Sequence, residues 1–167
     1  MCKGVFIFVS ILSGILRCSL SSLLENSHPP TSTDKRLYVL RTSDYERYKD
    51  RNPEHVEGTC NWFLGHPNYT NWRDNTGPSL LWVSADPGCG KSVLAKFLVD
   101  FKLRTNSPRT TCYFFFKDDN EDQKTATQAL CAILHQIFVQ KPNLLPYAYK
   151  SFDQNSENSV IKNLDIL

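Results

Sequence analysis

The sequence predicts an α/β fold in which short helices precede a parallel sheet. An apolar run of strand length, residues 79–84 (SLLWVS), follows a turn. It leads into a glycine-bearing loop, residues 85–92 (ADPGCGKS), and then into residues 93–101, whose apolar side chains recur at helical spacing. A second β-branched and aromatic run, residues 109–116 (RTTCYFFF), predicts the next strand. Strands that alternate with helices are typical of a parallel sheet.

Composition and charge are those of an ordinary globular protein. The 167 residues are 41% hydrophobic and 12% aromatic, which provides core material and excludes a disordered or collagen-like chain. Nineteen Lys and Arg face 17 Asp and Glu, so the net charge is +2. A dedicated nucleic-acid binder needs a clustered basic surface, and this balance argues against one.

The six cysteines are predicted to be reduced thiols in an intracellular, cytoplasmic protein. They contain no C-x-x-C pair and no Cys/His cluster of zinc-ligand spacing, so no structural metal is expected. Most lie inside apolar-periodic segments, where a free buried thiol is the simplest interpretation. They are Cys2, Cys18, Cys60, Cys89, Cys112 and Cys131.

The amino terminus leaves secretion open as a minor alternative. The apolar run at residues 5–16 has the length of a signal-peptide core but is too short to span a bilayer. Arg17 follows at once and no small-x-small cleavage site stands just beyond. A packed amphipathic helix or a leader without a role is therefore preferred, and a membrane partner is not expected.

Two domains are predicted, with a boundary near residue 42. Residues 1–42 form an apolar N-terminal segment and a linker, because residues 25–42 are rich in Ser, Thr, Pro and charge. Residues 43–167 form the main domain. It opens with residues 43–51 (SDYERYKDR), which predict a solvated helical turn or two with ion pairs at helical spacing.

Two short helices are predicted before the apolar run. Thr59 can cap the first and Pro67 fits the first turn of the second. Their aromatic residues either cover the base of a bound nucleotide or pack under the sheet, and packing is preferred for Trp62 and Trp72 individually. A turn at residues 75–78 (NTGP) ends this unit.

The loop at residues 85–92 is predicted to bind phosphate, because a phosphate-binding loop lies between a strand and a helix and contains glycines. Gly88 and Gly90 allow backbone conformations in which successive N–H groups converge on the α- and β-phosphates. Lys91 supplies charge to the β- and γ-phosphates, and the Ser92 hydroxyl can ligate Mg²⁺. Cys89 is interpreted as a spacer. The predicted nucleotide-binding residues are Gly88, Cys89, Gly90, Lys91, Ser92 and Val93, with Ser92 at the metal.

The residues after the second strand predict a long helix. The acidic run at residues 117–122 (KDDNED) suggests either a metal site or the start of that helix, and capping with the helix dipole is preferred. The helix carries an apolar stripe and stops before Pro142. His135 lies beside the stripe and is interpreted as a hydrogen-bonded structural residue. The stripe consists of Ala126, Ala129, Leu130, Ile133, Leu134, Ile137 and Phe138.

These segments together resemble a known family. Residues 58–74 (GTCNWFLGHPNYTNWRD), 79–100 (SLLWVSADPGCGKSVLAKFLVD) and 110–138 resemble the start of the NACHT-type nucleotide-binding module of fungal signal-transduction NTPases, grouped with the nephrocystin-3 N-terminal region. The resemblance covers residues 45–147. It implies part of a three-layer P-loop NTPase sandwich of the STAND class. ATP or ADP with Mg²⁺ sets an open or closed state in such modules, and repeats such as ankyrin or WD40 follow as sensors. The family's phosphate-binding residues correspond to Gly88, Gly90, Lys91 and Ser92.

The sequence also departs from this family. Its modules continue to an acidic Walker B strand, whereas Asp165 follows Lys162-Asn163-Leu164 and residues 160–167 are interpreted as the opening of a helix. The chain is thus expected to be truncated before Walker B, and hydrolysis by the chain alone is not expected.

Two functions follow. The first is ATP binding as the front part of a switch module, with missing C-terminal repeats as partners. The second is a non-enzymatic interaction fragment or decoy that associates with full-length NACHT relatives through an exposed sheet edge.

Overall fold

The computed structural model describes residues 6–11, 35–75, 77–103, 110–146 and 148, with the backbone alone at residues 6–11 and 35–36. Within these ranges the structure mixes short helices with two strands. The elements are β1 (Phe6–Ile11), α1 (Lys35–Leu40), α2 (Tyr45–Asp50), α3 (Asn61–Leu64), α4 (Pro67–Asp74), α5 (Lys91–Phe97), a π-helical turn (Leu98–Lys102), β2 (Thr110–Phe115), a 3-10 turn (Glu121–Gln123), α6 (Ala126–Gln140) and a 3-10 turn (Pro142–Leu144).

The two strands pair antiparallel, from Phe6 opposite Phe115 to Ile11 opposite Thr110. The predicted second strand is confirmed, but no parallel pairing occurs among the described residues. The helix preferred for the N-terminal run is wrong for residues 6–11. Their sequence, FIFVSI, is aromatic and β-branched, and such residues pack well on a pleated surface. None of the helices in the described ranges is long and apolar enough to cross a membrane.

Residues 79–84 do not form the predicted strand, since residues 78–86 have no regular secondary structure. Leu81 and Val83 are half-buried against the helices, whereas Leu80 is 81% exposed and Trp82 is 69% exposed. The prediction of burial on both faces was therefore wrong. A strand needs a hydrogen-bonded neighbour, and no segment within the described ranges pairs with this one.

The helices α3 and α4 pack against α5, the helix that follows the glycine-bearing loop. The buried members of this cluster are Cys60, Phe63, Tyr69, Leu94, Phe97 and Leu98. Trp72 packs against it as predicted, but Trp62 is 64% exposed and contradicts the packing expected of it. Pro67 opens α4 as predicted. Thr59 does not cap α3: its hydroxyl donates to the carbonyl of Val56 at 2.6 Å.

The helix α1 is anchored to α6 by apolar packing. Leu40 is fully buried with Cys131, Phe138 and Leu145. The prediction of a loose linker is therefore wrong for residues 37–40, because Leu37 and Leu40 pack against the apolar side chains of α6. Residues 25–34 lie outside the described residues.

The helix α2 is more deeply packed than the predicted solvated turn. Tyr45, Tyr48 and Lys49 are buried. The Tyr45 hydroxyl bonds Nδ1 of His135 at 3.0 Å, which confirms a hydrogen-bonded structural role for His135. Burial lowers the pKa of His135, and nearby Arg41 adds to that effect. The neutral imidazole is therefore the form that this packing favours.

The helix α6 begins with a capping box and not with the acidic run. The Thr125 hydroxyl accepts from Gln128 N–H at 3.2 Å, while Gln128 Oε1 accepts from Thr125 N–H at 2.9 Å. The acidic run instead forms a loop and the 3-10 turn before it, so the capping preferred for it was wrong. The described residues contain no cluster of three or more His, Cys, Asp or Glu side chains that could hold a metal ion. The helix ends before Pro142 as predicted.

Side chains of α6 also bond the main chain of β2. The Gln136 amide accepts from Tyr113 N–H at 3.0 Å and donates to the Tyr113 carbonyl at 2.8 Å. Gln140 donates to the carbonyl of Thr111 at 2.8 Å. These contacts fix α6 along β2. The predicted apolar stripe is only partly buried, because Leu130 and Ala126 lie at the exposed side.

Leu40→Ala should destabilise the protein by about 2–5 kcal/mol, because it opens a cavity between α1 and α6. The measurement is urea unfolding followed by circular dichroism. Tyr38→Ala is the matched control, since Tyr38 lies on the same helix and is 82% exposed. Equal stability of the two variants would contradict the packing of α1.

Candidate phosphate-binding site

The loop at residues 85–92 has two glycines in the left-handed backbone region. Gly88 has a φ of 83° and Gly90 a φ of 78°. A Cβ added at either position would have no atom within 4 Å, so backbone conformation and not crowding requires glycine. The same open space leaves the loop accessible from solvent. The two glycines therefore set the path of the backbone from this loop into the helix that follows.

The helix α5 begins directly from this loop. Gly90 occupies the N-cap position, and the first intrahelical bond runs from Leu94 N–H to the Gly90 carbonyl at 2.9 Å. The N–H groups of Lys91, Ser92 and Val93 precede that bond and have no intrahelical acceptor. Together they give this end of the helix a partial positive charge, which favours an anion.

Lys91 is folded back onto the loop. Its Nζ donates to the carbonyls of Ala85 at 2.7 Å and Asp86 at 2.8 Å. An ammonium group has three donors, so a third remains for an anion above the loop. The side chain can also exchange its carbonyl partners for phosphate oxygens, since both carbonyls lie at the loop surface.

The structure brings the sequence-predicted residues together as one continuous loop and first helical turn. Lys91, Ser92 and Val93 are half-buried, while Gly88, Cys89 and Gly90 are exposed. A lysine, a hydroxyl and successive N–H donors fit a nucleotide phosphate with Mg²⁺. Ser92 would hold the metal and the other groups the phosphates.

The cysteines within the described ranges form no disulfide with one another, as predicted. Cys60, Cys112 and Cys131 are buried and Cys89 is exposed. Burial raises the pKa of the Cys112 thiol to about 11. Cys2 and Cys18 lie outside the described residues, as do residues 160–167, where a helix opening was predicted.

The sequence reasoning missed two buried lysines beside this site. Lys96 is 5% exposed, and its Nζ donates to the Asn52 carbonyl at 3.0 Å and to Glu54 at 2.5 Å. Lys49 is 7% exposed and pairs with Asp100. Both tie the region of α2 to α5 and the π-helical turn. The burial of Lys96 could have been predicted from the sequence, because this lysine lies inside an otherwise apolar stretch, VLAKFLV.

The Lys49 ammonium remains charged in this setting. Burial alone would lower the pKa of Lys49, but hydrogen bonds to Asp100 and Asp50, together with their charges, outweigh it and raise the pKa. The pair at Asp100 is thus a charge-assisted hydrogen bond. Removal of one partner would leave a buried charge, a change that typically costs about 3–5 kcal/mol.

Comparisons with known proteins are consistent with the loop geometry. The family model described as nephrocystin 3, N-terminal, matches residues 58–166. The vegetative incompatibility protein HET-E-1 of Podospora anserina is 26% identical over 92 residues. That match covers 55% of this chain but 7% of HET-E-1, so the chain corresponds to a small part of that protein. No solved structure matches the chain.

Cys89 should react with a thiol reagent at least about tenfold faster than the three buried thiols, because attack requires an accessible thiolate. The measurement is timed iodoacetamide labelling of the native protein with peptide mapping. Cys89→Ser is the control and should remove the labelling of the peptide that contains residue 89. Labelling of Cys89 as slow as that of the three buried thiols would contradict the exposed position of this loop residue.

Proposed function

The chain belongs to the nephrocystin 3, N-terminal, family, a NACHT-type module, and from this premise we propose that it binds ATP or ADP with Mg²⁺ through residues 88–93. The observation that carries the proposal is the left-handed glycine pair at the start of α5, with Lys91 directed into the same loop. This arrangement concentrates N–H donors and one ammonium group at a single accessible point.

Phosphate recognition in this proposal uses three kinds of donor. The N–H groups from Gly88 to Ser92 hold the α- and β-phosphates, and the helix dipole of α5 adds to their field. Lys91 moves from the carbonyls of Ala85 and Asp86 to the β- and γ-phosphates. Mg²⁺, when bound, neutralises phosphate charge, and the Ser92 hydroxyl would hold it.

The proposal extends to the fold of the complete module. The match to this family supports a three-layer P-loop sandwich with a parallel sheet as the fold of that module. The module would act as a cytoplasmic STAND-type signalling switch whose state depends on the nucleotide bound. We do not propose nucleotide hydrolysis, because an attacking water needs a further residue to orient it.

Mg-ATP or Mg-ADP should raise the melting temperature of the purified protein, because a ligand that binds the folded state stabilises it by mass action. At about one hundred times the dissociation constant the gain is about 2.7 kcal/mol. Lys91→Ala should lose most of this shift. The measurement is differential scanning fluorimetry across a nucleotide titration.

Lys124→Ala is the matched control for that titration, since Lys124 contacts Glu121 and lies outside the loop. It should keep the full shift. No shift in the native chain, or the same shift in Lys91→Ala, would overturn the nucleotide-binding proposal.

A second candidate function is association with other NACHT-family chains. Its support is the uncharged segment 79–84, in which the apolar side chains of Leu80 and Trp82 are both exposed. An exposed apolar segment of this kind can pair with a strand from another chain.

Sedimentation velocity tests this second candidate with the chain itself as the partner. The native protein should associate as its concentration rises, and Trp82→Lys should remain monomeric because a charge on this face opposes strand pairing. Trp62→Lys is the control, since Trp62 is also exposed but lies on α3. A native chain that stays monomeric, or equal association of both variants, would contradict it.

A further inference from the structure

Asn52 lies at the centre of a buried polar network between three parts of the chain. It is 4% exposed and lies two residues after the end of α2. Its Nδ2 donates to the carbonyls of Tyr48 at 3.1 Å and Lys49 at 2.9 Å. These bonds close the last turn of α2, where the Lys49 carbonyl also accepts from the main-chain N–H of Asn52 at 3.1 Å. The side chain is therefore held in one orientation.

The remaining acceptors of Asn52 are taken by two lysines from distant elements. Its main-chain carbonyl accepts from Nζ of Lys96, on α5, at 3.0 Å. Its side-chain Oδ1 accepts from Nζ of Lys117, two residues after β2, at 2.9 Å. One residue thus joins the helix of the phosphate-binding loop to the segment that follows β2. Buried charge-assisted bonds of this kind are stronger than neutral ones and are costly to break.

The segment at residues 117–122 has further contacts with α2 and the residue after it. The Tyr48 hydroxyl donates to Asn120 at 3.1 Å and to Asp122 at 2.9 Å, and Arg51 pairs with Asp119 at 3.7 Å. The acidic run, which neither caps α6 nor forms a metal site, is thus fixed to the same short stretch of chain as Asn52.

We propose that Asn52 is a positioning residue that couples the phosphate-binding loop to residues 117–122. The inference rests on the proposed nucleotide binding. The element with two states is Lys91, which bonds loop carbonyls in one state and phosphate in the other. Phosphate that bonds the first N–H groups of α5 restrains this helix. Lys96 lies on the same helix and bonds Asn52, which also bonds Lys117. Restraint of α5 therefore also restrains Asn52 and the acidic segment that begins at Lys117.

A purely structural network would behave differently. It would stabilise the fold equally with and without nucleotide, because no part of it would respond to the loop. Coupling instead requires that nucleotide change the local opening of residues 117–122, although these residues do not contribute to the proposed phosphate contacts. Local exchange of amide hydrogens separates these two cases.

Hydrogen–deuterium exchange on the full chain, with and without saturating Mg-ADP, gives the first test. Exchange should slow at residues 86–94, where nucleotide binds, and by about threefold or more at residues 117–122. Slowing at 86–94 without any change at 117–122 overturns the coupling and leaves nucleotide binding intact. No change at 86–94 or in the melting temperature overturns nucleotide binding, and the coupling with it.

The second test uses Lys117→Met, which keeps an apolar stem of similar length but removes the bond to Asn52. In this variant Mg-ADP should still slow exchange at 86–94, whereas its effect at 117–122 should fall to less than about half. Lys124→Met is the matched control, because Lys124 contacts Glu121 and not Asn52. An unchanged effect at 117–122 in Lys117→Met would show that the restraint does not pass through Asn52.

Discussion

The packing of α5 against α3 and α4 is the interaction on which the rest of the structure depends. Phe63, Tyr69 and Phe97 bury their rings in this one cluster and place the first turn of α5 at the surface. Burial of apolar area there stabilises a helix whose own N-terminus has unpaired N–H groups. The first turn of α5, which carries the donors of the proposed phosphate site, is thus supported from below by aromatic packing.

Two lysine side chains, those of Lys49 and Lys96, are buried near this apolar cluster. Lys49 on α2 pairs with Asp100 of the π-helical turn, and Lys96 on α5 pairs with Glu54, which follows α2. Replacement of both partners of such a pair by apolar residues is often neutral or stabilising, so stability alone does not explain these pairs. The lysines instead fix the register between two short elements, since their partners must align for the charges to be compensated.

The sequence predicted the local features well and the long-range ones poorly. The loop, the start of α5 and the end of α6 follow from glycine, lysine and proline, whose effects are local. The pairing of β1 with β2 joins residues separated by about a hundred positions, and no periodicity within either segment specifies such a partner. Residues 79–84, in contrast, were predicted to form a strand from their local sequence and do not form one. Their pattern is that of a strand, but strand formation depends on a neighbour, which local sequence does not provide.

The Gln136 amide bonds both main-chain groups of Tyr113 and thereby imitates the peptide unit of an adjacent strand. Gln140 makes a similar bond, because its amide donates to the main-chain carbonyl of Thr111. At these two residues, donors and acceptors of β2 that could pair with a strand of another chain are occupied by side chains of the same chain. Two glutamines on a largely apolar helix thus cover part of a strand edge, a role that composition alone would not suggest.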